Sequence, residues 1–373
     1  MRIGIDAHIL GKGKGGVERY VRELALRLPR AAPEHEYLFF VRKALECRGL
    51  WEGLRNVQAV PLLTANPLLE RPLLLPWLAR RHRLDVLHVQ RIAPPFPGCA
   101  VVVTIHDVLP LTMPRECPGF SNALVRLLTP GTVRRCARIL TVSSSTQQDL
   151  ARLFPEAAAR IAAIPNGVDH GFFRPAPAGA LPNAAQKRLG LEQPYVLYAG
   201  AIEPRKNLLL VLRAFEQCAD LRRQGALLVL AGLPRTPAYR RELDAFIRGA
   251  GLAAQVRWAL GLGDQEYLEL VQAARLFLAP SLGEGFDLPP LEAMACGVPT
   301  ICSDIPVHSE FFAGAAEFFA RNEAAALAQS LTRLWQDGGR CTTLRAAGLR
   351  KAAEFSWDKT ANLTAQQYRT LQP

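Results

Sequence analysis

Two glutamates stand eight positions apart in the stretch 281–300, SLGEGFDLPPLEAMACGVPT, with Glu284 between glycines and Glu292 just past two prolines. Glycines 283 and 285 permit a tight turn and let a ligand approach the backbone. Pro289 and Pro290 favour a helix start, which places Glu292 in that helix's first turn. A glycosidase acid and base must flank a scissile bond, which two carboxylates beyond the end of one strand do not. Ionised carboxylates only accept hydrogen bonds, and they suit neighbouring hydroxyls, one set on a sugar ring and one on a ribose. The plainer alternative, that Glu292 complements the helix dipole, leaves the turn around Glu284 unexplained.

Three further stretches carry candidate chemistry. In YAGAIEPRKNLLLVLRAF, Gly200 closes a strand and Pro204 starts a helix, so Arg205 and Lys206 lie beside its N-terminus. Two cations with free backbone amides form a diphosphate site, whereas cations there for purely structural reasons would oppose the helix dipole. In VVVTIHDVLP, His106 and Asp107 follow an apolar run, at the strand end where open α/β sheets bind ligands. A lone histidine is more often structural; the polar pair favours function. In GKGKGGVERYVREL, Gly11, Gly13 and Gly16 satisfy G-x-G-x-x-G, with Glu34 and Glu36 near the place of a ribose-binding acid. No Lys-Ser or Lys-Thr pair closes this loop as in a P-loop. Its plainer reading is a flexible glycine loop meeting an anion, or a structural turn.

These sites need strands and helices to hold them. Short apolar strands are expected at 3–9, 37–41, 57–62, 86–89, 100–105, 139–142 and 161–164. After the proline- and alanine-rich FFRPAPAGALPNAAQ the pattern restarts, with strands at 195–198, 227–231, 256–260, 276–279 and 300–302. Helical periodicity fills the gaps, as in VERYVRELALRL and LTRLWQDGG. Continuous apolar strands alternating with helices imply parallel sheets covered on both faces. The fold class is therefore α/β, with two Rossmann-like domains facing a central cleft. Their expected bounds are 1–178 and 179–355, followed by a C-terminal helix over 356–373.

The chain of 373 residues is 49% hydrophobic and 21% charged, a globular composition with room for two domains. No apolar run reaches the ~18–20 residues of a membrane span. Asp6 and His8 interrupt MRIGIDAHIL, which reads as a strand of the mature protein. Eight scattered cysteines without a C-x-x-C pair fit free thiols in a reducing compartment. Residues 1–180 hold 24 Lys+Arg against 14 Asp+Glu, and residues 181–373 hold 21 against 19. The basic first half suggests an anionic contact, of which membrane phospholipid is one. Aromatic residues do not interleave with the basic ones, which argues against a nucleic-acid platform.

E-G-F-D-L-P-P-L-E-A-M-A-C-G-V-P-T, with GAIEPRKN, TIHDVLP, ILTVSSSTQQDL, IPNGVD and SDIPVHSE, resembles the GT-B-fold retaining glycosyltransferases of family 4. The pattern is most similar to bacterial mannosyltransferases of polysaccharide and O-antigen assembly, over nearly the whole chain. The resemblance implies that Glu284 and the amides of Gly285, Phe286, Asp287 and Leu288 hold the donor sugar and phosphate. It implies that Glu292 takes the ribose hydroxyls and that Arg205 and Lys206 neutralise the departing diphosphate. His106 would contact the donor sugar, and Gly15 and Gly16 would lie beside the phosphate or acceptor. The nucleobase would lie near 256–261, including Gly261, and the helix after Trp357 would cross back onto the first domain. Many relatives carry an arginine directly after the glycine of the strand turn. Here Ala201 follows Gly200, so either Arg205 takes that duty or the diphosphate is held differently.

The implied reaction moves a hexose, with mannose from GDP-mannose as the leading donor, to a lipid-linked or polysaccharide acceptor. It retains configuration, and the absence of a D-x-D motif accords with a site using neither metal nor other cofactor. The implied place is cytoplasmic, with peripheral contact to anionic lipid at the inner membrane face. The alternatives are a UDP-sugar donor, an NAD-dependent oxidoreductase resting on the literal glycine motif, and a non-catalytic nucleotide-sugar-binding protein.

Overall fold

The computed structural model describes residues 1–13, 15–42, 48–62, 70–177 and 184–371. The chain forms two compact units, one of Met1–Gly167 with Ser356–Pro373 and one of Val168–Phe355. The expected boundary at 178/179 lies outside the described residues.

The first unit is built on seven parallel strands: β1 (Arg2–Asp6), β2 (Glu36–Val41), β3 (Val57–Pro61), β4 (Val86–Gln90), β5 (Ala100–Ile105), β6 (Arg138–Thr141) and β7 (Ile161–Ala163). Their order is β3-β2-β1-β4-β5-β6-β7. Runs such as VLHVQ and AVVVTI are buried along almost their whole length, as strands covered on both faces must be. Strand β1 stops three residues short of the expected 3–9. Asp6 accepts hydrogen bonds from the His8 amide and ring at 3.3 and 2.7 Å, and Leu10 N donates to Ala7 O at 3.1 Å, turning the chain away.

The helix Trp357–Arg369 belongs to this unit. Ser356 caps it by accepting from Lys359 N at 3.2 Å. It packs along the helix Gly16–Ala31, burying Trp357, Tyr368 and Tyr20 almost completely. Burying each ring contributes roughly 2–3 kcal/mol.

The second unit carries β8 (Tyr195–Ala199), β9 (Leu227–Ala231), β10 (Val256–Ala259), β11 (Leu276–Ala279), β12 (Thr300–Ser303) and β13 (Glu317–Phe319). All pair in parallel, in the order β10-β9-β8-β11-β12-β13. Strand β13 was not expected: three residues opening on a glutamate carry no apolar run. The helix Leu208–Gln217 buries Leu208, Val211, Leu212 and Phe215 against the helix Ala324–Gln336.

Each sheet therefore reverses strand order once, between β1 and β4 and between β8 and β11. In open α/β sheets, the crevice outside the strand C-termini at such a reversal is the ligand site.

Candidate active site

The sequence that follows β8 and the sequence that follows β11 meet at the second unit's reversal point. After β8, Pro204–Lys206 forms a single 3₁₀ turn, Asn207 adopts the left-handed conformation, and the helix begins only at Leu208. Pro204 thus starts this turn and not the helix, while Arg205 and Lys206 lie just before the helix N-terminus. After β11, residues 280–287 form an irregular turn, and the helix Leu288–Ala295 follows. Leu282 N donates to Arg205 O at 2.8 Å, so the backbone joins the two loops.

Their side chains form one charged cluster. Lys206 Nζ lies 2.5 Å from Glu284 Oε1 and 3.2 Å from Asp287 Oδ1. Arg205 reaches Glu284 Oε1 at 2.8 Å and Glu203 Oε1 at 2.7 Å, and donates to Gly283 O at 3.2 Å. Lys206 is only 6% exposed. Burial opposes its charge, but Asp287 and Glu284 outweigh burial and raise its pKa. Burial likewise pushes the Asp287 carboxyl up, and Lys206 with the His308 hydrogen bond outweighs it, holding the group well below the ordinary aspartate range.

His308 completes the cluster. Its ring is fully buried, with Nε2 3.1 Å from Asp287 Oδ2 and Nδ1 3.0 Å from Ser303 O. Ser303 Oγ donates to Ser281 O at 2.6 Å, tying β12 to the turn after β11. Asp287 sits at φ 71°, an uncommon conformation for a non-glycine residue, and its carboxylate partners hold it there. Among the described residues, the Gly285 and Phe286 amides donate to no protein acceptor. The Phe286 ring turns away, 4.4 Å from Phe311, so this residue offers only its backbone.

Glu292 is buried at 2% exposure and accepts from Tyr267 Oη at 2.7 Å. Because the helix starts at Leu288, Glu292 falls beyond its first turn, so complementing the helix dipole does not account for it. Leu288 opens this helix and is itself buried. Gly200 directly follows β8, and a Cβ on it would come 2.7 Å from the side-chain oxygen Tyr198 Oη. Gly261, at φ 66° with open space around it, lies past the end of the edge strand β10. That is about 10 Å from β8 across two strand spacings.

His106 and Gly16 belong to the first unit. His106 follows β5, donates from Nε2 to Gln90 Oε1 at 2.9 Å, and meets the Tyr20 ring edge-on at 4.8 Å. Burial first, and Arg91 second, lower its pKa to about 3, so the imidazole is neutral. Asp107 pairs with Arg91 at 3.0 Å and accepts from Leu109 N, a bracing role. Gly16 opens the helix that carries Tyr20. Gly11, Gly13 and Gly15 all have positive φ, and Glu18 accepts from the Gly11 and Lys12 amides at 2.8 and 3.2 Å. The dinucleotide reading fails here. Glu34 precedes β2 and Glu36 is its first residue, so both sit at the N-terminal edge of the sheet, paired with Arg369 and Arg2. A ribose-binding acid belongs at the opposite edge.

Several residues escaped sequence reading. Tyr267 and Gln90 gave no signal beyond residue type, and His308 lay within SDIPVHSE without a role of its own, since all three roles depend on strand order. A buried chain also runs from Tyr368 Oη to His88 (2.6 Å), from His88 to Thr104 Oγ1 (2.8 Å) and on to Tyr20 Oη (2.9 Å). Among the described residues, no group of His, Cys, Asp or Glu is arranged as a metal site, and the seven described cysteines are free. No helix among them is long and apolar enough to cross a membrane.

Two parallel Rossmann-like units, one gathering cations and carboxylates at its strand-order reversal, define a glycosyltransferase of the GT-B fold. The profile for "Glycosyltransferase Family 4" matches residues 14–172 and that for "Glycosyl transferases group 1" matches residues 182–351. The chain belongs to glycosyltransferase family 4. It is similar to the "O-antigen chain mannosyltransferase B" of Escherichia coli, 29% identical over 373 residues, covering 95% of this chain and 96% of that protein. It also matches the "Serotype-specific mannosyltransferase WbdA" of Escherichia coli at 27% identity over 72% of this chain, which spans only 33% of that longer protein. The fold is similar to that of Anabaena Alr3699/HepE, solved in complex with UDP and glucose: TM-score 0.77, 19% identity, 99% of this chain and all of that one.

Proposed function

We propose that the protein transfers mannose from GDP-mannose to a lipid-linked or polysaccharide acceptor in cell-surface glycan assembly, retaining the anomeric configuration. One observation carries this reading: a buried lysine, two carboxylates and two undonated glycine-turn amides converge at the reversal point of the second sheet. The names of the similar proteins, which are O-antigen and serotype-specific mannosyltransferases, support the choice of sugar and acceptor class.

In the proposed reaction, the bond between the sugar C1 and the donor's phosphate oxygen breaks as the acceptor hydroxyl oxygen bonds to C1. The acceptor proton passes to the departing phosphate. The Gly285 and Phe286 amides and the remaining N–H of Lys206 receive the negative charge that develops there, an electrostatic stabilisation built in before the reaction starts. Glu284 orients the sugar hydroxyls, Glu292 the ribose, and the neutral His106 contacts the sugar. Cationic side chains here take the role that a metal ion plays elsewhere in diphosphate departure, so transfer is expected to survive chelation.

A thermal-shift panel of GDP-, UDP- and ADP-sugars tests the donor. A ligand at a hundred times its Kd stabilises by about 2.7 kcal/mol, so GDP-mannose should raise the melting temperature by several degrees and the others less. A larger shift with a UDP-sugar would replace the donor but keep the site; no shift with any would overturn the reading.

A further inference from the structure

Gln90, the last residue of β4, is only 4% exposed. Among the described residues its side chain makes one hydrogen bond, accepted by Oε1 from His106 Nε2 at 2.9 Å. Its amide nitrogen is buried without a partner. For packing alone, a methionine would fill this space and leave no amide unpaired. A glutamine is therefore a poor choice for stability, and its contact with His106 calls for another use.

Two strands bring the pair together. β4 and β5 run parallel with Gln90 opposite Thr104. His106 stands two positions past Thr104, where strand alternation returns a side chain to the same face. Tyr20 closes over that face: its Oη lies 2.9 Å from Thr104 Oγ1, and its ring meets His106 edge-on at 4.8 Å. His88, two positions before Gln90, ties Thr104 to Tyr368 on the last helix. The His106 ring is thus braced by Tyr20 and held at Nε2 by Gln90.

The chemistry of the contact fixes which nitrogen is free. A carbonyl oxygen only accepts, so Nε2 carries the ring proton. Burial keeps the imidazole neutral, with a pKa lowered to about 3, and Nδ1 therefore keeps its lone pair. Among the described residues Nδ1 has no partner, and the residue is still 8% exposed.

We propose that Gln90 is a positioning residue for sugar transfer: it fixes the His106 tautomer and ring angle so that Nδ1 accepts a hydrogen bond from a hydroxyl of the bound sugar. This rests on the reading that His106 contacts the sugar. A ring protonated on Nδ1 would offer that hydroxyl a donor instead.

Two measurements on the full chain test it. The first is a long-range proton–nitrogen spectrum of histidine-labelled protein without ligand, with the His106 signals identified by their loss in His106→Gln. The proton should sit on Nε2, and Gln90→Met should mix the two tautomers. The second is transfer from GDP-mannose, in which Gln90→Met should lower kcat roughly ten- to hundredfold. Melting should be no lower than in wild type, and GDP, which carries no sugar, should inhibit both proteins equally. Gln90→Glu should recover part of kcat, since a carboxylate accepts from the same N–H. Three results would overturn the inference: a wild-type proton on Nδ1, a Gln90→Met kcat within about twofold of wild type, or a loss matched by weaker GDP inhibition and lower melting. Absence of transfer in wild type would overturn the donor reading instead, and the spectrum, which needs no sugar, would still decide the tautomer.

Discussion

Lys206 Nζ and Glu284 Oε1 lie 2.5 Å apart although 78 positions of sequence separate the two residues. One follows β8 and the other β11, and only the strand order β9-β8-β11-β12 makes those ends neighbours. The pair is buried, so each charge depends on the other. That dependence makes the cluster testable.

Lys206→Ala should lower turnover roughly a hundred- to thousandfold, the usual loss when one preorganised charge contact is removed. It also leaves Asp287 and Glu284 without their nearest buried cation, which should destabilise the fold by roughly 3–5 kcal/mol. Steady-state rates taken below the variant's melting transition separate the two effects. Activity within about twofold of wild type would place diphosphate departure elsewhere.

His308 should act through Asp287 rather than on the substrate. His308→Ala removes a hydrogen bond to a charged group, expected to cost about 1.5–3 kcal/mol of stability. Turnover should fall in parallel, and His308→Gln should restore part of both, because its amide can still donate to Asp287. Unfolding curves and kcat for the two variants check this; an alanine variant indistinguishable from wild type would remove His308 from the account.

Gly232→Ala should reach the site without touching substrate. A Cβ there would lie 1.8 Å from Gly200 O, where the ends of β8 and β9 crowd together. Overpacking of this kind costs about 1–3 kcal/mol, and the strained Gly200 turn should raise the donor KM. Urea melts and donor titration would show both, whereas Gly261→Ala, in open space, should perturb packing far less.

Acid should weaken the first unit before it reaches the charged cluster. His106 and His88 are both held to a pKa of about 3, chiefly by burial, against an unfolded value of about 6.5. Between those limits the unfolded chain binds more protons, so stability falls as pH drops below about 6.5, by about 2 kcal/mol per histidine at pH 5. Asp287 behaves differently. Its depressed pKa contributes stability that is present above the unfolded aspartate value of about 3.9 and is lost only in stronger acid. Urea melts at pH 7.5 and 5 should therefore differ, and His88→Gln should flatten the difference; equal midpoints would contradict the burial of neutral imidazoles.

Much of this arrangement was legible in the residues. Apolar runs such as Ala100–Ile105 and Leu227–Ala231 matched strands because a strand buried on both faces needs an unbroken apolar series. Glu284, Lys206 and Arg205 stood out because charge beside glycine and proline at a strand end has few structural uses. His308 and Tyr267 did not, since nothing local shows that β12 borders β11 or that Tyr267 reaches Glu292. The Rossmann-like glycine triplet misled for the same reason. Its spacing is local, but the acid it needs is placed by strand direction, and Glu36 starts β2 instead of ending it.

The most direct measurement is a crystal structure of the protein soaked with GDP-mannose. The diphosphate should lie against Lys206 and the Gly285 and Phe286 amides, with the ribose on Glu292 and the mannose hydroxyls on Glu284. Nucleotide sugar lodged at the Gly11–Gly16 loop, or anywhere away from the ends of β8 and β11, would contradict the account.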